Sequence, residues 1–184
     1  MKKFISILLT IVCSICCFIS LTACSSDNST VTSTQNTTTD NGTNKDNDTT
    51  NNDSIPSFSK DETVIYKNVH YTVTNITYSN GEDYDTPDDG NKFIIVELKI
   101  ENKSEKTISY NTWDWKIINS QGQIDGEAFT TIDSDTNLNS GDLAKNGSKT
   151  GTMVFEVPQN ETSIKLYYYG NILSDDPSFE IILL

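Results

Sequence analysis

The sequence predicts an all-β fold, a sandwich of seven or eight short antiparallel strands, and three observations predict it. Between residues 61 and 184, period-two runs rich in β-branched and aromatic residues recur, turn residues separate them, and no stretch of useful length carries a helical period. A small closed barrel satisfies the same pattern.

The elements follow in chain order. Residues 63–66 open the series. The run 69–78 alternates on Val69, Tyr71 and Val73, then shifts phase to Ile76 and Tyr78, which predicts a bulge near Asn75. The clearest strand is 92–102. Ile94, Val96, Leu98 and Ile100 share one face, while Glu97, Lys99 and Glu101 take the other, the pattern of a half-buried antiparallel strand. Further strands are expected at 107–110, 113–118, 123–129, 148–157, 163–169 and 179–183. Turn chemistry separates them at 88–90, 120–122, 145–147, 158–160 and 175–177, all built from Gly, Asn, Asp, Ser, Gln, Lys and Pro.

Three stretches then carry a resemblance. Residues 90–103 (GNKFIIVELKIENK), 115–122 (WKIINSQG) and 151–158 (GTMVFEVP) occur in the order found in a family of bacterial surface lipoprotein domains of unknown function. That family resembles the secreted immunoprotective-antigen fold. The resemblance implies an immunoglobulin-like β-sandwich, and it supplies no reaction and no catalytic residue, so function has to be argued from the site.

The amino-terminal residues read as an address. Lys2 and Lys3 precede an apolar stretch from Phe4 to Ile19, and Leu21-Thr22-Ala23-Cys24 resembles the bacterial lipobox. This implies a signal peptide over 1–23, cleavage after Ala23, and a diacylglyceryl group on the thiol of Cys24. All four cysteines (Cys13, Cys16, Cys17, Cys24) lie at or before that point. The mature chain is therefore expected to have no intramolecular disulfide and no catalytic thiol. Two acyl chains anchor durably where one binds only marginally. Residues 24–60 follow as the lipidated cysteine and a disordered linker. From 25 to 54 that linker holds one hydrophobic residue, Val31, too little to offset its ordering entropy. As a flexible coil, residues 25–60 span on the order of 30–36 Å. The expected domains are thus 1–23, 24–60 and 61–184, with the last one extracytoplasmic on the cell membrane.

Charge excludes one class of partner. The chain has 13 basic and 26 acidic side chains, a net charge of −13, and no arginine. Nucleic acid recognition needs a basic stripe, so none is expected. Residues 61–184 hold 21 acidic side chains and nine lysines, so the acidity belongs to the domain.

Candidate chemistry is sparse. His70 is the only histidine, and it sits on a strand opposite the faces of Val69 and Tyr71, as a surface residue would. Paired carboxylates suit two-acid glycoside hydrolysis by residue type alone. Asp83, Asp85, Asp88 and Asp89 cluster in one loop, and Asp133 and Asp135 alternate with Asn137 and Asn139 in another. Oxygen ligands at a spacing of two suit calcium. Solvated turns explain them better, since Leu138 stands where a helix-flanked calcium loop needs glycine and the closing glutamate is missing. Tyr110, Trp113, Tyr167 and Tyr169 are candidates for an aromatic binding patch, but core packing is the better account of such rings, with Trp115 expected inside more readily than the tyrosines. The chain is accordingly expected to be a non-catalytic module for an envelope or host protein or glycan. The alternatives are a calcium-stabilised accessory domain and a carboxylate hydrolase.

Overall fold

The computed structural model describes residues 31–34, 54–171 and 173–184. The proposed signal peptide, Ala23 and Cys24 lie outside the described residues. Among the described residues no helix is long and apolar enough to cross a membrane.

Two five-stranded sheets face each other. The first runs in the order β1 (Thr32–Thr34), β3 (Thr63–Tyr66), β4 (Val69–Ser79), β5 (Asn91–Asn102), β10 (Ser148–Pro158). The second runs β2 (Ser57–Ser59), β12 (Phe179–Ile182), β11 (Ile164–Tyr168), β7 (Trp115–Asn119), β8 (Ile124–Asp125). A short ribbon pairs β6 (Ile108–Tyr110) with β9 (Gly141–Leu143). Pairing is antiparallel except where β2 runs parallel to β12. The central triplets β4-β5-β10 and β7-β11-β12 match the A-B-E and C-F-G orders of an immunoglobulin-like sandwich, with Trp115 buried on the strand equivalent to C.

The strand from 91 to 102 forms as its alternation requires: Ile94, Val96, Leu98 and Ile100 are fully buried between the sheets. The phase shift in β4 is a register irregularity between Val73 and Asn75, as the sequence predicts. Short pairings raise the strand number among the described residues to twelve, above the seven or eight expected. The sheets also begin earlier than residue 61, because Phe58 on β2 is buried against Phe179 with ring centroids 6.2 Å apart. Residues 32–34, read as part of a disordered linker, pair with β3.

Two other expectations change. Trp113 is not part of the strand expected over 113–118, which begins at Trp115. The Asn111 side chain accepts a hydrogen bond from the Trp113 N–H at 3.0 Å and caps a 3-10 turn, Thr112–Asp114, which leaves Trp113 outside the sheet. The strand expected over 123–129 stops at Asp125, and the chain then turns away from its sheet.

The family-like stretches have structural causes. Asn102 is fully buried, and its amide donates to the carbonyls of Lys106 (2.7 Å) and Leu143 (2.8 Å) while its Oδ1 accepts from the Ser104 N–H and hydroxyl. One side chain thus closes the loop after β5 against the loop before β10. A Cβ on Gly151 would stand 2.5 Å from Leu138 Cα, so only glycine lets the chain cross there. At the opposite end, Glu161 Oε1 accepts from the N–H groups of Ser120 (3.2 Å), Thr162 (2.8 Å) and Ser163 (3.1 Å). These bonds, led by Ser120, hold its carboxyl down at about 2.

Trp115→Ala is expected to cost about 3–5 kcal/mol in urea unfolding, whereas Trp113→Ala stays within about 0.5 kcal/mol. Because Glu161 is depressed on folding, its contribution is complete above its ordinary value of 4.5 and lost as pH falls through about 2. Glu161→Gln should therefore destabilise by about 1–3 kcal/mol at pH 7, and the difference from wild type should vanish in unfolding curves measured near pH 2.

Candidate functional site

The most exposed aromatic side chains gather where the chain crosses between sheets. Past β8, at the edge of the second sheet, the segment 126–138 runs to β10, at the edge of the first. The Ala128 N–H donates to the Val154 carbonyl (2.7 Å), the Leu138 N–H to the Thr152 carbonyl (2.8 Å), and the Thr152 N–H to the Thr136 carbonyl (2.9 Å). Ala128 and Ile132 cover Phe93, Ile95 and Val154 on the outer face of the first sheet, which buries a face that would otherwise be solvated. Asp85 fastens this strap to the loop between β4 and β5. Thr130 Oγ1 donates to both carboxylate oxygens at 2.9 Å, and the Thr131 N–H and hydroxyl donate to Oδ2, the former at 2.6 Å. Those bonds, the Thr131 hydroxyl first, hold the Asp85 carboxyl below its ordinary range.

Phe129 projects from the strap and is fully exposed, as is Tyr84; Trp113 is 82% exposed. Three open clefts share Phe129. One of about 420 Å³ lies between it and Trp113, with Lys116 and Glu127 at its walls. A second of about 570 Å³ adjoins Tyr84, Glu82 and Asp83. A third of about 420 Å³ carries Asp88, Asn91, Asp125 and Glu156. In the last, Glu156 Oε1 accepts from the Asp88 N–H (2.7 Å) and the Asn91 amide (2.8 Å), so that oxygen is engaged by the protein itself. Burial raises the carboxyl of Asp114, but Asp114 lines none of these three clefts.

The expected aromatic patch is only partly assembled. Of its four members Trp113 alone is exposed. Tyr110 is half-buried and packs against the core, its hydroxyl so close to Gly141 that a Cβ there would lie 2.8 Å away. Tyr167 is 9% exposed, and Tyr169 lies beside it at 6.4 Å with the Lys116 ammonium 4.9 Å from its ring centre. Those two rings lie on the outer face of the second sheet because Tyr168, between them, points inward to Trp115. The exposed rings are instead Phe129, which shares a cleft with Trp113, and Tyr84, which shares a second cleft with Phe129. Tyr84 stands among the acids of its loop, and Phe129 falls in a run whose alternation reads as strand, so neither stands out in the sequence.

The acidic candidates are not brought into one site. Asp83 and Asp85 share the second cleft, with Asp85 engaged by Thr130 and Thr131; Asp88 lines the third, and Asp89, Asp133 and Asp135 are exposed outside these clefts. Among the described residues no group of three or more His, Cys, Asp or Glu side chains is placed to hold a metal ion. His70 is a half-buried strand residue paired with Ile65 and Glu101.

Fold and site together define an immunoglobulin-like β-sandwich domain that presents a loop-borne aromatic edge. The chain belongs to a family described as a domain of unknown function (DUF4352), which matches residues 58–178. Among solved structures, the yjhA protein of Bacillus subtilis is similar at 21% identity and a TM-score of 0.52, over 71% of this chain and 100% of its own. The "putative lipoprotein" ycdA of Bacillus subtilis is similar at 16% identity and a TM-score of 0.51, over 63% of this chain and 37% of its own. At such identities the likeness shows the fold. No curated protein matches the chain.

Proposed function

We infer that this chain is a lipid-anchored extracytoplasmic binding module, cut after Ala23, acylated on Cys24, and non-catalytic. The single observation that carries the binding role is the grouping of Phe129, Tyr84 and Trp113 around joined clefts, each ring held out in water. Scattered exposed apolar residues are normal, but rings gathered about shared concavities supply large contact area at low entropic cost. Their partner is an envelope or host protein or glycan. The carboxylates around the clefts favour recognition over hydrolysis, since Asp85 and Glu156 are already engaged by the protein's own donors. Lipid anchoring is supported by the lipobox-like Leu21–Cys24 sequence and by the description of ycdA, and it suits a domain preceded by a polar segment.

Capture of envelope material by the acylated full-length chain should fall at least tenfold when Phe129 and Trp113 are both changed to Ala, and stay unchanged for Ile182→Ala, an exposed apolar residue on β12 that lines none of the three clefts. Prior protease or glycosidase treatment of the envelopes separates a protein partner from a glycan, and equal capture by all variants rejects the aromatic site. Cys24→Ala is expected to abolish lipid labelling and leave the chain uncut after Ala23, as read by metabolic labelling and intact mass.

A further inference from the structure

Residues 25–54 contain one hydrophobic side chain, Val31, and that side chain packs half-buried against the sandwich core. It lines a cleft with Pro56, Tyr66, Pro177 and Ser178. The three residues after it form β1 and pair antiparallel with β3, Thr32 opposite Ile65, Ser33 opposite Val64 and Thr34 opposite Thr63. A polar chain with a single valine has docked where that valine finds apolar surface. Its seam is three residue pairs long, against eleven between β10 and β5, and it lies at the edge of its sheet, the part of a fold that opens first.

We propose that Val31 and β1 form a releasable latch that sets how far, and in which orientation, the domain stands from its lipid anchor. The proposal rests on acylation of Cys24. Seven residue steps separate Cys24 from Val31, at most roughly 25 Å of chain, whereas 33 separate it from Ser57 at the start of β2, at most roughly 110 Å. With the latch closed, the β1 edge is held beside the lipid. The opposite edge of the sheet lies four strand spacings away, roughly 19 Å, and there the strap from β10 holds Phe129 outward. With the latch open, the longer span alone limits how far the domain stands from Cys24. The closed state presents the aromatic site, and the open state extends its reach.

The test uses the acylated full-length chain in vesicles of phosphatidylethanolamine and phosphatidylglycerol. Register partners in an antiparallel pair lie within disulfide range. Thr32→Cys/Ile65→Cys should therefore cross-link under mild oxidation at least tenfold faster than Thr32→Cys/Asp89→Cys. Val31→Asp should slow the first pair to the rate of the second. In a separate series, a donor dye at Ser134→Cys reports energy transfer to labelled lipid, and Val31→Asp should change and broaden the transfer relative to the parent. Cross-linking no faster than the Asp89 control overturns the latch. Identical transfer with and without Val31, on chains whose Cys24 carries lipid, overturns its control of reach. Chains lacking lipid on Cys24 overturn the anchoring, and with it the reach, whatever the cross-link shows.

Discussion

Tyr71 reaches from the first sheet into a nest of rings supplied by the second, and the registration of the two sheets depends on it. Its ring lies 5.5 Å from Trp115, 5.0 Å from Tyr168 and 5.7 Å from Phe179, while Trp115 and Tyr168 stand 4.6 Å apart. The Tyr71 hydroxyl donates to the Tyr168 hydroxyl at 3.0 Å, so two phenols enter the core without an orphaned polar atom. Burial in this nest pushes both phenols well above their ordinary range. Antibody domains clamp their sheets with a disulfide against the tryptophan of strand C. Residues 25–184 contain no cysteine, and here the tryptophan packs on tyrosine and phenylalanine instead. Each such ring pair adds about 0.5–1.5 kcal/mol beyond its buried area.

That clamp fixes where the crossing strap runs. With β7 and β10 held in facing sheets, residues 126–138 must bridge the edge between them, and the approach is close enough to require Gly151 under Leu138. The strap buries the apolar side chains of Ala128 and Ile132 on Phe93, Ile95 and Val154. Phe129, adjacent to Ala128, has no place in that packing and points into water. The exposed ring is thus a consequence of which neighbours the strap has to bury, and the Asp85 bonds to Thr130 and Thr131 keep it from folding back.

Much of the frame was legible in the sequence because it is governed by local alternation. Ile94 to Ile100 announce a face, the slip from Val73 to Ile76 announces a bulge, and both are present. What was not legible depends on partners distant in sequence. Trp113 reads as strand until the Asn111 side chain captures its N–H, a local bond that outcompetes alternation. Phe129 reads as strand because nothing near it says that Ala128 will pair with Val154 in the other sheet. The carboxylates suggest calcium through their spacing, yet the Asp85 loop met threonines in place of further acids. Val31 was visible as the single apolar residue in a polar stretch, but the edge that receives it is built from residues about 33 positions later.

Edges are the weakness of any open sandwich, since an uncovered strand invites pairing with another chain. This domain covers them with segments that serve other ends. On the entry side β1 caps β3 and β2 caps β12, both drawn from the polar stretch that leads in from the amino terminus. On the far side the strap lies along β10 and carries the exposed Phe129. Because closing one edge consumes the leading segment and closing the other requires a crossing loop, the incoming chain and the exposed ring of Phe129 fall on opposite sides of the sandwich. The same pairings that keep its sheets from recruiting foreign strands thereby set the chain's entry across the sandwich from its exposed rings.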